Sequence, residues 1–198
     1  MAPTIDLPLS KLTHLFRIAH ARPIARRYFV VNGFDGALTM LGIIMGFYGS
    51  GEADPVVIVS ACVGAAVALG MSGATSAYIS EAAERAREFE ALEEAMGTNL
   101  EGSVHSRARK LLPFFIAAVN GAAPLFISLV IIAPLWISML VDGAAIHALD
   151  ASLALALVVI FLLGVFLGRI SQTFWLLAGL RTLLVAVFTG GIIYWLTG

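Results

Sequence analysis

Residues 80–110 read SEAAERAREFEALEEAMGTNLEGSVHSRARK, the one sizeable polar stretch in an otherwise apolar chain. Six glutamates fall between residues 81 and 94. Ala, Glu, Arg and Leu favour helix. At about 100° per residue, Glu81, Glu84 and Glu88 lie within roughly 60° of one another. Phe89, Leu92 and Met96 form an apolar stripe beside them, while Glu90, Glu93 and Glu94 fall mostly on the far, solvated side. Carboxylates at i, i+3 and i+7 can converge on a hard cation, most easily when a second helix supplies more oxygen ligands. Fe²⁺ or Mn²⁺ accepts such oxygens, and Met96 offers a soft ligand. The alternative is a solvated helix held by local ion pairs such as Glu81 with Arg85. His105 stands alone in a basic loop, where a histidine is ordinarily just exposed.

A second acid lies where lipid is expected. The stretch VNGFDGALTMLGIIMGFYG, residues 31–49, is apolar almost throughout, yet carries Asp35 with Asn32 on nearly the same face. An ionisable group inside a span is costly and marks a functional site by default. Met40 and Met45 follow it, and Gly33, Gly36, Gly42 and Gly46 allow close approach of another helix. The competing reading is an aspartate satisfied by neighbouring Asn, Ser or Thr groups. In GMSGATSAYIS, Met71 begins a seven-residue repeat with Tyr78 and Arg85, and Ser72, Thr75 and Ser76 add oxygens. Small-residue packing accounts for those glycines and serines without any ligand.

The elements that must position these groups follow from composition. Of 198 residues, 60% are hydrophobic and 13% charged, against about 25% charged in a soluble domain. The mean hydropathy is +0.94. Five segments are long enough to cross a bilayer, approximately 28–48, 55–80, 112–141, 151–168 and 173–197, since a span needs roughly 20 residues. The second is expected to run on as a helix to Met96 and stop at Gly97. Pro113 suits a helix start, and Pro124 predicts a kink or local unwinding. Asn120 lies just before that proline.

Orientation follows from the 12 Lys and Arg. All lie before span one, between spans two and three, or flanking the connection of spans four and five; SGEADP and VDGAAIHALD hold none. The positive-inside rule puts the N-terminus in the cytoplasm and the C-terminus across the membrane. Arg181 is expected to snorkel to the cytoplasmic surface. No cleavable signal is expected in the first 27 residues, which are polar and basic. Within them, LSKLTHLFRIAH (9–20) reads as a short helix on the membrane surface, with an irregular tail as the alternative.

The lone Cys62 excludes an intramolecular disulfide and a cysteine metal cluster. No nucleotide loop, nucleophile–histidine arrangement or cofactor fingerprint is present, so neither an enzyme nor a prosthetic group is expected. A net charge of −1 argues against a nucleic-acid partner. A membrane carboxylate, an acidic helix and no energy-transducing domain suggest ion movement driven by a gradient.

Three stretches resemble the vacuolar iron transporter family. VNGFDGALTMLGIIMGFYG is similar to that family's first span, GMSGATSAYISEAAER to its second and GLRTLLVAVFTGGIIYWLTG to its last. The resemblance implies a homodimer with its pathway between subunits, moving Fe²⁺ or Mn²⁺ out of the cytosol, in many members in exchange for protons. Asp35 matches the family's intramembrane carboxylate. The span-two methionine of the family is replaced here by Gly73, with Met71 preceding Ser72, and the glutamate four residues later corresponds to Ala77. The acidic insert is truncated to one helix and a short return.

These readings combine into expectations. The fold is an all-α membrane protein of five transmembrane helices with a cytoplasmic extension of the second. Residues 1–27 form a cytoplasmic amphipathic segment, and 28–198 the membrane domain, including the acidic helix and loop 81–111. Glu81, Glu84 and Glu88, with Asp35 and Met96, are the expected metal ligands. Asp35, Asn32, Met71 and Met40 are the expected pathway. Membrane lipid, a second copy of the chain, metal ions and protons are the expected partners, and short loops suit a prokaryotic inner membrane. The alternatives are a non-transporting membrane scaffold, or a transporter of another cation or a small solute.

Overall fold

A computed structural model describes residues 21–51, 54–140 and 147–198. The expected surface helix over 9–20 lies outside these residues. Five α-helices make up the described fold: α1 (Ala21–Ser50), α2 (Pro55–Met96), α3 (Val104–Ser138), α4 (Ala148–Ile170) and α5 (Trp175–Thr197). Each is long and apolar enough to cross a membrane, so the chain is an all-α membrane protein.

The helix ends follow local chemistry. Asp54 caps α2 by accepting from the Val56 N–H at 2.8 Å, with Pro55 in the first turn. The helix then runs unbroken for 42 residues to Met96, about 63 Å at 1.5 Å per residue. That is about twice the ~30 Å hydrocarbon thickness, so its second half stands outside the bilayer. Gly97, at φ 60°, ends it in the left-handed conformation that glycine adopts without penalty. Glu93 accepts from the Leu100 N–H at 2.8 Å and ties down the return. Ser103 then caps α3 by accepting from the Ser106 N–H.

That cap places the start of α3 well before Pro113, which therefore lies inside the helix rather than at its head. Helical structure also continues through Pro124 without unwinding. A proline costs its helix one donor and leaves the carbonyl four residues earlier without its usual partner; at Pro124 that carbonyl belongs to Asn120. Likewise α1 starts at Ala21, earlier than 28, so Arg26 and Arg27 belong to the helix.

Among the described residues α3 is the central element, with buried positions along nearly its whole length. α1 packs on α3, α4 and α5, whereas α2 packs chiefly on α3. The main core joins Met40, Leu41 and Ile44 of α1 to Ile131, Ile132 and Leu135 of α3 and Ile160 of α4. Cys62 is a fully buried member of it. α5 buries only Gly179, Ala186 and Gly190, and turns Leu184, Phe188 and Trp195 outward. Such an apolar exterior suits contact with lipid.

Close crossings depend on two glycine contacts. A Cβ on Gly36 would lie 2.8 Å from both the Cα and the carbonyl oxygen of Pro124. A Cβ on Gly121 would lie 2.6 Å from the Gly70 carbonyl oxygen. The first contact sets the approach of α1 to α3, and the second that of α2 to α3.

Candidate functional site

The site begins at the arginine-rich end of the bundle, where α2 leaves the apolar zone. Glu81 is 8% exposed, an unusual position for an acid. Its Oε1 accepts from the Tyr28 hydroxyl of α1 at 3.4 Å. Its Oε2 pairs with Arg85 at 3.4 Å, one turn on. Arg85 also donates to Glu88, so one guanidinium lies between two acids of the row. Glu84 is exposed and stands outside this arrangement.

One turn deeper on α1, Asn32 sits on the same face as Tyr28. Its Nδ2 donates to the Tyr28 carbonyl at 3.0 Å and also to the Oδ1 of Asn120 on α3. Asn120 is 4% exposed and donates in turn to the Gly73 carbonyl of α2 at 2.7 Å. A polar thread therefore runs Glu88–Arg85–Glu81–Tyr28–Asn32–Asn120–Gly73 through the contact of α1, α2 and α3. Low dielectric strengthens each bond and makes each unpaired member costly.

The space at Gly73 is limited by α3. A Cβ there would lie 3.1 Å from the Asn120 carbonyl oxygen. That is the carbonyl whose helical donor Pro124 lacks. A larger side chain at 73 would press on Asn120 and displace the amide that bonds the Gly73 carbonyl.

The other expected residues lie apart from the thread. The Asp35 side chain is exposed and no hydrogen bond or ion pair reaches its carboxylate among the described residues. Only its backbone oxygen is engaged, by Thr39 at 2.8 Å. Among the described residues, no neighbour satisfies the Asp35 carboxylate. Asp35 borders an apolar cleft formed with Phe34 of α1, Leu163 and Leu167 of α4 and Val185 of α5. Met71 is 64% exposed and borders a different apolar groove, against Ala118, Gly121 and Ala122 of α3. Met40 is buried in the core. Met96 is 58% exposed at the end of α2. Among the described residues of one chain, no three His, Cys, Asp or Glu side chains gather as a metal site.

Pattern reading noted Asn32, Glu81 and Asn120 individually but missed their connection, and it missed Tyr28. The available signal was an amide side chain four residues before a proline, in an apolar helix, with a second amide in another span.

The architecture defines the class, an all-α polytopic membrane protein. No protein-family model matches the chain. It is 26% identical over 159 residues to an uncharacterized protein of Methanocaldococcus jannaschii, covering 78% of this chain and 79% of that relative.

Proposed function

We propose that the protein is a homodimeric transporter of divalent metal cations, Fe²⁺ or Mn²⁺, exporting them from the cytosol of a prokaryotic cell in exchange for protons. The observation that carries this reading is the polar thread from Glu81 to Asn120. It offers carboxylate, phenol, amide and backbone oxygens in sequence, the donor set that hard cations accept. The likeness of three spans to the vacuolar iron transporter family supports the same function. In this reading the arginine-rich end is cytoplasmic, Glu81, Glu84 and Glu88 gather metal there, and Asn32 and Asn120 line the entry to the bilayer.

Asp35 supports the dimer. It lies eight residues beyond Arg27, about 12 Å along the helix at 1.5 Å per residue. A carboxylate at such depth belongs to a protein interior or a water-filled cavity. A second copy supplies that setting and doubles the acidic rows. Uptake of Mn²⁺ or Fe²⁺ into proteoliposomes tests the function. Asn120→Leu and Asp35→Asn are expected to cut the rate at least ~10-fold, the loss of roughly 1.4 kcal/mol of transition-state stabilisation. Rates equal to the parent's for both variants would overturn the reading.

A second reading rests on Arg85, which already satisfies Glu81 and Glu88 without any metal. A non-transporting scaffold would need nothing more. Mn²⁺ separates the two: a transporter is stabilised by its cargo through mass action, and a scaffold is not.

A further inference from the structure

A cavity of about 190 Å³ opens between the arginine-rich ends of α2 and α3, at the outer end of the polar thread, with which it shares Arg85 and Glu88. Arg85, Glu88, Phe89 and Leu92 line it from α2, and His105, Ala108, Arg109 and Leu112 from α3. The charges are unevenly committed. Among the described residues, Glu88 is the one acid on its walls and is paired with Arg85. Arg109 has no carboxylate partner among the described residues and lies 4.7 Å from the centre of the Phe89 ring. Phe89 is 6% exposed, so it fixes the guanidinium in place by cation–π contact. The Nε of Arg85 is buried without an acceptor. His105 is exposed at the cavity and adds ring nitrogens from the first turn of α3.

We propose that this cavity binds a phosphoryl anion, with Arg109 and His105 as its principal donors and Arg85 beside them. A guanidinium held by an aromatic face presents its donors with little further ordering, and its planar fork matches phosphate oxygens. Arg85 is shared between Glu81 and Glu88, whereas the guanidinium of Arg109 has no carboxylate partner among the described residues and keeps its donors for a ligand. Leu92 of α2 and Leu112 of α3 add apolar surface to the cavity. A free phosphate and a lipid headgroup both present the phosphoryl chemistry that these donors recognise.

The test uses the full-length protein in detergent with a chelator present, so that its outcome is independent of any metal. Inorganic phosphate is titrated by calorimetry. In a parallel arm, melting is followed in mixed micelles containing phosphatidic acid or phosphatidylcholine. Binding of phosphate identifies a soluble ligand; stabilisation by phosphatidic acid alone identifies a headgroup. In whichever arm responds, Arg109→Gln is expected to weaken the response at least ~10-fold, the scale of one charge-assisted hydrogen bond. Arg107→Gln, exposed on the same helix but outside the cavity, is expected to leave it unchanged. The proposal is overturned if neither arm responds, if Arg109→Gln behaves as the parent, or if Arg107→Gln weakens binding equally, which would mark a diffuse basic surface. Failure here leaves the transport reading standing, and transport failing leaves this site standing.

Discussion

Asn120, which is buried, and Asn32, which is half-buried, join α1, α2 and α3 through their amides. Asn120 bonds Asn32 and the Gly73 carbonyl, so truncating it removes one bond to α1 and one to α2, while Asn32 keeps the Tyr28 carbonyl and the Gly73 carbonyl keeps the Ser76 hydroxyl. Asn120→Ala should destabilise the fold by about 1–3 kcal/mol, two hydrogen bonds at roughly 0.5–1.5 kcal/mol each. Removing both amides together, as Asn32→Leu with Asn120→Leu, should cost less than the sum of the single changes, because no amide then remains unpaired. Thermal melting of the parent, the singles and the double measures this coupling, and strict additivity would mean that the amides do not act as a pair. Gly73 tests the same contact from the other side. Gly73→Met, the residue the resemblance would place there, meets the Asn120 carbonyl from its first carbon. Overpacking of that kind costs roughly 1–3 kcal/mol, so a lowered melting temperature is expected; one at or above the parent's would show that α2 and α3 separate freely. Chemistry-bearing residues were thus legible one at a time in the sequence, but their partners were not. Asn32 and Asn120 are 88 residues apart, and helical periodicity constrains only neighbours within a few turns.

At the scale of the helices, the apolar runs identify the spans, because a bilayer accepts little else than helices with satisfied backbones. Met96 and Gly97 end α2 where the loss of helix formers and a left-handed glycine predict. Pro113 misled, because proline is tolerated at a helix start and also inside a helix that neighbouring elements hold. What the spans alone leave open is which helix meets which. That is set by contacts such as Gly36 on Pro124, where backbone meets backbone. Gly36→Ala places a carbon 2.8 Å from atoms that no side-chain rotation can move. The change should push α1 from α3 and cost about 1–3 kcal/mol. Cys62 reports the result. It lies on α2, fully buried in the core that α2 shares with α1 and α3, so a maleimide should label it slowly in the parent and several-fold faster in Gly36→Ala. Equal labelling rates would mean that the crossing tolerates the extra carbon.

For the whole molecule, the deciding matter is whether Arg85 is a permanent structural cation or a rival of the cargo. Its guanidinium pairs with both Glu81 and Glu88, the carboxylates that a metal would use. One chain gathers no three such ligands among its described residues; in the proposed dimer a second copy would add to them. Two consequences separate this arrangement from a scaffold. Arg85→Gln removes the competing charge while leaving the acids, so Mn²⁺ should bind several-fold more tightly, whereas Glu81→Gln should weaken it. Both changes also loosen the bonds around Tyr28, so melting in the absence of metal should fall in each. Metal affinity and intrinsic stability therefore move in opposite directions for Arg85→Gln and in the same direction for Glu81→Gln. At Mn²⁺ about 100-fold above its dissociation constant, stabilisation of the parent should reach about 2.7 kcal/mol. If the ligands come from two copies, as proposed, that gain should shrink when the protein is diluted below its dimerisation range. A melting shift independent of protein concentration would place the metal within one subunit, and no shift at any Mn²⁺ concentration would leave Arg85 as the sole cation of the acidic row.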